Sequence, residues 1–251
     1  MQQVLRDTAA LIIGGSGGIG RTVAGGLAAA GAAVAIAARD ERAVAHAVGE
    51  IRARGANVSG HRCDATRLAD LDPLFEAAAE RHSDIRVLVN CQGTTAIGPT
   101  AAMTGDEYDR IMDTNLKSVF FACLAAYRHF AGRGGTIINI ASLAAHRGWP
   151  QAAVYAMSKH GVLGLTRTLA AEWAGEGIRV NSISPGFFMT ELNRTRMSEE
   201  RKKVALARTP AGRFGELEEL VGATVFLASD QSRFVTGADI VVDGGCLAGG
   251  I

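Results

Sequence analysis

The sequence predicts an α/β fold: a single doubly wound parallel sheet of seven strands with helices on both faces. Three observations predict it. Short apolar runs alternate with longer helix-period segments along the 251 residues. The runs are rich in Val, Ile and Ala without polar alternation, as strands covered on both faces are. The first run breaks into a cluster of glycines, and a helical pattern follows at once, as at the opening of a βαβ unit.

Strands are expected at 9–13, 33–38, 58–62, 85–90, 136–141, 179–184 and 239–242. Helices are expected near 18–30, 41–54, 67–82, 106–131, 152–175 and 216–228. Right-handed crossovers then place helices on both faces. No linker or low-complexity run divides residues 1–251, which read as one domain. One stretch breaks the alternation. Residues 186–215 contain no strand pattern and gather Arg194, Arg196, Arg201, Lys202, Lys203, Arg208 and Arg213. A long insertion after the carboxyl end of a strand sits where ligands bind in such sheets, so it reads as a substrate lid.

With 48% hydrophobic and 20% charged residues, a large core is expected. The net charge of +1 argues against a nucleic-acid partner. Cys63, Cys91, Cys123 and Cys246 are scattered without a CxxC pair, so neither metal nor disulfide is expected. The N-terminus lacks the features of a secretory signal, and every apolar run is too short for a membrane span. A soluble, cytoplasmic protein is the expectation.

The glycine cluster reads Gly14-Gly15-Ser16-Gly17-Gly18-Ile19-Gly20. Glycine lets the backbone turn sharply and approach a pyrophosphate, which the following helix N-terminus attracts with free N–H groups. Two registers fit, Gly15-x-Gly17-x-x-Gly20 and Gly14-x-x-x-Gly18-x-Gly20, and the glycines alone do not choose between them. The second strand ends at Ala38, followed by Arg39 and Asp40. An acid at the strand end selects NAD(H), whereas a guanidinium pairs with the 2′-phosphate of NADP(H). Asp40 has the features of a helix N-cap, so Arg39 and NADP(H) are expected, with NAD(H) as the alternative.

Tyr155 and Lys159 lie four apart at the start of a long helical pattern and share one face. A neighbouring ammonium favours the phenolate, so Lys159 is expected to lower the Tyr155 pKa toward the range useful for proton exchange. Ser142 closes the fifth strand at the carboxyl edge of the sheet, within reach of a reacting oxygen. No G-x-S-x-G elbow surrounds it, which argues against a hydrolase.

These residues, with Asp64, Asn90-x-x-Gly93, Asn115, Asn181-x-Ile183-x-Pro185-Gly186, Thr190 and the terminal Val242-Asp243-Gly244-Gly245, are in order and at matching spacing. In them the chain resembles the short-chain dehydrogenase/reductase family over essentially its whole length. The resemblance favours the register Gly14, Gly18 and Gly20. It implies an oxidoreductase that moves a hydride between NADP(H) and a carbonyl or secondary alcohol. Tyr155 would be the acid/base, Ser142 would orient the substrate oxygen, Lys159 would tune the tyrosine and hold the nicotinamide ribose, and Asn115 would support a water-linked relay. The cofactor would lie along Gly14, Ser16, Gly17, Gly18, Ile19 and Gly20, then Arg39, Asp64 and Ala65, then Asn90, Gly93, Tyr155, Lys159, Pro185, Gly186 and Thr190.

Two positions depart from the family pattern. Ile13 replaces a threonine and Asn90-Cys91-Gln92-Gly93 replaces Asn-Asn-Ala-Gly, so two mutually paired polar groups are lost together without stranding either. His146, Trp149, Phe187, Phe188 and Met189 are candidate pocket residues, each with a structural role as the alternative. The segment 209–215 is similar to both gluconate 5-dehydrogenase-like and 3-oxoacyl-carrier-protein reductase-like members. The basic lid would suit an anionic substrate such as a sugar acid or a phosphopantetheine-borne acyl group, with a solvated helix face as the alternative. A 3-oxoacyl-thioester reductase and a non-catalytic dinucleotide sensor are the alternative functions. Apolar residues on more than one face of the 106–131 and 152–175 helices, among them Val119, Phe120, Phe121, Leu163 and Leu165, together with the resemblance, imply a homotetramer or homodimer.

Overall fold

Seven strands pair in parallel in the order β3-β2-β1-β4-β5-β6-β7. They are β1 Ala9–Ile13, β2 Ala33–Ala38, β3 Val58–Arg62, β4 Ile85–Asn90, β5 Gly135–Ile140, β6 Ile178–Pro185 and β7 Asp239–Val242. The computed structural model describes residues 3–190 and 197–249, so Arg194 and Arg196 of the basic cluster lie outside the described residues. Strand order reverses between β1 and β4, and such a switch opens a crevice beyond the strands' carboxyl ends.

Alternation along β1 explains its unbroken apolar run. Leu11 and Ile13 pack with Phe75, Leu88, Phe130 and Trp173 on one face. Ala10 and Ile12 pack with Val23, Leu27, Ile36 and Leu227 on the other. Helices α1 Gly18–Ala29, α2 Glu41–Arg52 and α8 Val221–Ala228 cover the second face. Helices α3 Leu71–His82, α5 Ser118–Phe130 and α6 Ala153–Trp173 cover the first.

Three local differences from the sequence expectation have physical causes. The 106–131 helix is α4 Gly105–Met112 joined to α5 through a π-helical turn, Asp113–Lys117, which widens the helix at Asn115. The 186–215 insertion contains α7 Glu199–Ala207, where Ser198 Oγ accepts from the Arg201 N–H at 3.4 Å and two glutamates occupy the first turn. Its sparse apolar residues give no helical stripe to read. Lastly, β5 begins at Gly135 and β6 spans Ile178–Pro185, boundary shifts of one residue.

Candidate active site

The glycine loop leaves β1 and closes on itself. Gly14 has φ +80, and a Cβ there would lie 2.7 Å from the Gln92 nitrogen. A Cβ at Gly20 would overlap the Gly14 carbonyl oxygen. Gly18 also has a positive φ, and Thr190, arriving from the end of β6, lies over it. The register Gly14-x-x-x-Gly18-x-Gly20 therefore carries the backbone constraints. Around a Cβ built on Gly17 there is nothing within 4 Å, and Gly17 caps α1 with no side-chain partner for the first N–H groups. Space beside unsatisfied N–H groups at a helix N-terminus is a fit for a pyrophosphate.

Beyond β2, Arg39 is exposed. Asp40 Oδ1 accepts from the Arg42 and Ala43 N–H groups at 2.9 and 3.1 Å, so its carboxylate caps α2. Asp64, half-buried after β3, accepts from Thr66 N and Oγ1 at 3.1 and 2.8 Å, beside the buried Ala65.

Asn90 turns its side chain inward rather than toward the crevice. Its Nδ2 donates to Asn139 Oδ1 at 2.9 Å, and its Oδ1 accepts from Gln92 Nε2 at 3.2 Å. Gln92 also donates to Ser118 Oγ at 3.2 Å, while its Oε1 is buried without a partner among the described residues. The paired loss at Ile13 and Cys91 stands, and Gln92, at the next position, adds a donor to this cluster.

Asn115, fully buried in the π turn, braces the loop after β4. Its Oδ1 accepts from Thr94 N at 2.7 Å, and its Nδ2 donates to Thr94 O at 2.9 Å and Ser158 Oγ at 3.0 Å. Both ends of the amide are thus held by protein groups, which fixes the side chain in place. A Cβ at Gly93 would meet Asn115 Oδ1 at 3.7 Å and Lys159 Nζ at 3.8 Å, which places both at the floor of one cleft.

Lys159 is buried, and its Nζ donates to Ile140 O at 2.7 Å. The same ammonium lies 5.9 Å from the Tyr155 ring centre. Ser142, at the end of β5, accepts from Ala144 N at 3.1 Å and shares a hydrogen bond with the Tyr155 hydroxyl. Ser142, Tyr155 and Lys159 are thus brought together as expected. The expected acidification of Tyr155 is not found. Burial lifts its pKa above the ordinary phenol value, opposed only by the Ser142 hydrogen bond, and burial pushes Lys159 down to about 8. Desolvation penalises both charged forms and sets the direction of both shifts.

Pro185 ends β6, and Gly186 follows with its N–H on Val242 O at 2.9 Å. A Cβ at Gly186 would lie 2.7 Å from the Asp243 Cα, so only glycine lets the two chain segments approach so closely. Among the candidate pocket residues, Trp149 and Phe187 contact one another with ring centres 5.7 Å apart, whereas Phe188 is buried in the core. Within the basic lid, Lys202 pairs with Glu199 and Arg213 with Glu219, so these two charges are neutralised locally. The charges of Arg147 and Arg208 both reach Cys246 in the C-terminal turn.

What sequence reasoning missed are the π turn, the Thr94 and Ser158 partners of Asn115, and a hydrogen bond between His146 Nε2 and Asp239 Oδ2 at 2.9 Å. His146 was visible as a pocket residue, but its partner is distant in sequence. Among the described residues, no helix is long and apolar enough to cross a membrane.

A family model described as Enoyl-(Acyl carrier protein) reductase matches residues 14–246. Gluconate 5-dehydrogenase of Gluconobacter oxydans is 37% identical over 246 residues, 96% of this chain and 95% of that protein. The 3-oxoacyl-[acyl-carrier-protein] reductase of Escherichia coli is 37% identical over 237 residues, 94% of this chain and 96% of that protein. The crystal structure of a gluconate 5-dehydrogenase from Burkholderia cenocepacia, in complex with NADP and tartrate, superposes with a TM-score of 0.94. It is 38% identical and covers 100% of this chain and 98% of its own. The chain belongs to the short-chain dehydrogenase/reductase family, oxidoreductases that transfer a hydride between a nicotinamide cofactor and a hydroxyl or carbonyl carbon.

Proposed function

We propose that the protein is an NADP(H)-dependent dehydrogenase of a polar carbonyl or secondary alcohol, with Tyr155 as acid/base. The observation that carries this reading is the meeting of Ser142, Tyr155 and Lys159 above a floor braced by Asn115. The cofactor supplies or accepts the hydride. Gly14, Ser16, Gly17, Gly18, Ile19 and Gly20 hold its pyrophosphate side, and Arg39 its 2′-phosphate. Asp64 and Ala65 take the adenine end, with backbone from Asn90 and Gly93 along the middle. Lys159, Pro185, Gly186 and Thr190 take the nicotinamide end.

In reduction, the Tyr155 hydroxyl gives its proton to the carbonyl oxygen while the Ser142 hydroxyl donates a hydrogen bond to the same oxygen. The Lys159 ammonium stabilises the phenolate left behind. In oxidation the proton returns to Tyr155. Asn115 contributes by fixing Thr94 and Ser158 beneath Lys159.

An anionic polyol, of the sugar-acid class, is the substrate reading favoured here. Arg147 follows Ser142 by five positions, its charge and that of Arg208 both act on Cys246, and two of the relatives are named for gluconate. The insertion at 186–215 serves as the lid of this single-domain enzyme. The 37% identity to a 3-oxoacyl-thioester reductase keeps that activity as the second reading. The working form is a cytoplasmic homotetramer or homodimer. Exposed Tyr108, Phe120 and Met157 on α4, α5 and α6, and a fully exposed Phe234 beside the edge strand β7, are surfaces a second copy would cover.

The test follows NADPH and NADH absorbance across gluconate, other sugar acids, simple ketones and oxoacyl thioesters. Turnover of sugar acids with the phosphorylated cofactor is expected. Tight NADPH binding without turnover of any of them would instead favour a sensor.

A further inference from the structure

β3 is an edge strand whose alternate residues face different helices. A Cβ at Gly60 would overlap Val44 and Val48 of α2. Ser59 and His61 therefore face the other side of the sheet, where α3 lies. There they meet His82, the last residue of α3. His61 Nε2 lies 2.8 Å from Ser59 Oγ, and His82 Nε2 lies 2.7 Å from the same oxygen. A cavity of about 580 Å³ opens on this cluster, lined also by Arg52, Asn57, Glu80 and Arg81. None of these residues belongs to the dinucleotide cleft.

The cluster is short of negative charge. Arg52, at the end of α2, is anchored by Nη2 to Val58 O at 3.1 Å, and Arg81 is exposed on α3. Glu80 is the acidic residue of the lining and is itself exposed to solvent. His82 is more than nine-tenths buried. Its Nδ1 faces the Val34 backbone, which favours a proton there, yet makes no well-formed hydrogen bond among the described residues.

A serine hydroxyl carries one proton and two lone pairs. Ser59 bridges two neutral imidazoles by donating to one and accepting from the other. Once both imidazoles are protonated it accepts from both, and its own proton is free to point into the cavity. In that state two imidazoliums and two guanidiniums face one space, an arrangement that needs a counter-charge. We propose that Ser59, His61, His82, Arg52 and Arg81 form a binding site for a tetrahedral oxyanion of the phosphate type, distinct from the dinucleotide cleft. A metal ion fits less well. The cluster offers two imidazoles and no third ligand, since no group of three or more His, Cys, Asp or Glu residues among the described residues could hold one. Arg81 would also repel it.

The site couples to protons. Burial, then the charges of His82 and Arg81, hold His61 below the ordinary imidazole value; burial holds His82 below it against the Val34 backbone, with the Arg81 charge adding. A bound anion favours the charged imidazoles and raises both values, so protons are taken up on binding. Affinity therefore climbs as pH falls from above neutrality toward the depressed values of the empty site.

The experiment is calorimetric titration of inorganic phosphate into the enzyme saturated with NADPH, which removes the dinucleotide cleft from the signal. The ring C–H resonances of His61 and His82 are followed in parallel, and they report on this site even if NADPH fails to bind. One phosphate per chain is expected, moving both resonances, with affinity roughly tenfold or more higher at pH 6 than at pH 8. A second arm with glycerol 1-phosphate distinguishes a free ion from a phosphoryl group carried on a larger molecule, and binding of either upholds the site. Arg81→Ala, an exposed change that leaves packing intact, and His61→Gln should each weaken binding at least roughly tenfold. Resonances of His61 and His82 that stay still at pH 6 would overturn the proposal. So would phosphate binding that survives both substitutions.

Discussion

His146 Nε2 stands 2.9 Å from Asp239 Oδ2, tying the loop that follows Ser142 to the last strand of the sheet. The other carboxylate oxygen accepts from Ser182 Oγ at 2.5 Å and Ser184 Oγ at 3.0 Å on β6. One nearly buried carboxylate thus satisfies donors from a loop and a neighbouring strand. Asp239→Ala would leave them unpaired, at about 2–3 kcal/mol of stability. Because Ser142 lies four residues before His146, the expected kinetic signature is a fall in kcat of roughly tenfold with cofactor affinity held. Asp239→Asn keeps the acceptor toward one side and should recover part of both. Melting curves and steady-state kinetics check this, and an unchanged kcat in the alanine variant would confine Asp239 to stability.

Arg39 and Asp40 are adjacent in sequence but have separable roles. The Asp40 carboxylate is occupied by two backbone N–H groups of α2, while Arg39 is exposed at the strand end. Asp40→Ala should cost about 1 kcal/mol of stability as a lost N-cap and leave the NADPH-to-NADH preference unchanged. Arg39→Ala should weaken NADPH by roughly tenfold or more, the loss of a charge-assisted bond, with little change for NADH. Fluorescence titration with each cofactor decides it; equal losses for both in Arg39→Ala would return the selection to Asp40.

The sheet was legible in the sequence because strands buried on both faces leave unbroken apolar runs, and because glycines at 14, 18 and 20 mark one loop. Asp40 was legible as a cap because an acid stood just ahead of a helical pattern. The π turn at Asp113–Lys117 was not, since its five residues are too few to show a period of their own. Nor was the sign of the Tyr155 shift. Spacing places Lys159 beside it, but only the packed structure shows Lys159 buried and Tyr155 half-buried, and that loss of water is what decides the direction. The Gln92 contacts with Asn90 and Ser118 depend on side-chain length reaching across elements, which no local pattern encodes.

Lys159 makes stability depend on pH. Its pKa in the folded chain, about 8, lies below the ordinary 10.5, so the unfolded chain holds its proton more tightly. Between these values the unfolded state binds more protons, and stability rises with pH through that window. The cost of burying the ammonium, present in full below pH 8, is relieved above it. Relative to Lys159→Met, which cannot titrate, the wild type should gain about 2–3 kcal/mol between pH 7 and pH 10. The constant loss of the Ile140 hydrogen bond in the variant cancels from that difference. Denaturant unfolding at the two pH values measures it, and a gap that does not move with pH would mean the lysine titrates as in water.

Tyr155→Phe isolates one oxygen. The substitution removes the hydroxyl that hydrogen-bonds Ser142 and leaves the half-buried ring in place beside Lys159. Loss of a positioned acid/base lowers kcat by roughly 10²–10⁴-fold, while NADPH affinity should stay within a few-fold. The raised pKa of Tyr155 adds a test in the wild type. Below pH 10 the free enzyme keeps the phenol protonated, so the reduction should show no alkaline limb from the tyrosine there. An alkaline limb near pH 8 in kcat/KM for reduction would then belong to Lys159, whose ammonium is lost at about that pH. Replacing Lys159 with arginine keeps a charge that does not titrate in this range, so whatever activity remains should lose the limb near pH 8. A limb that persists unchanged in that variant would place the titrating group elsewhere.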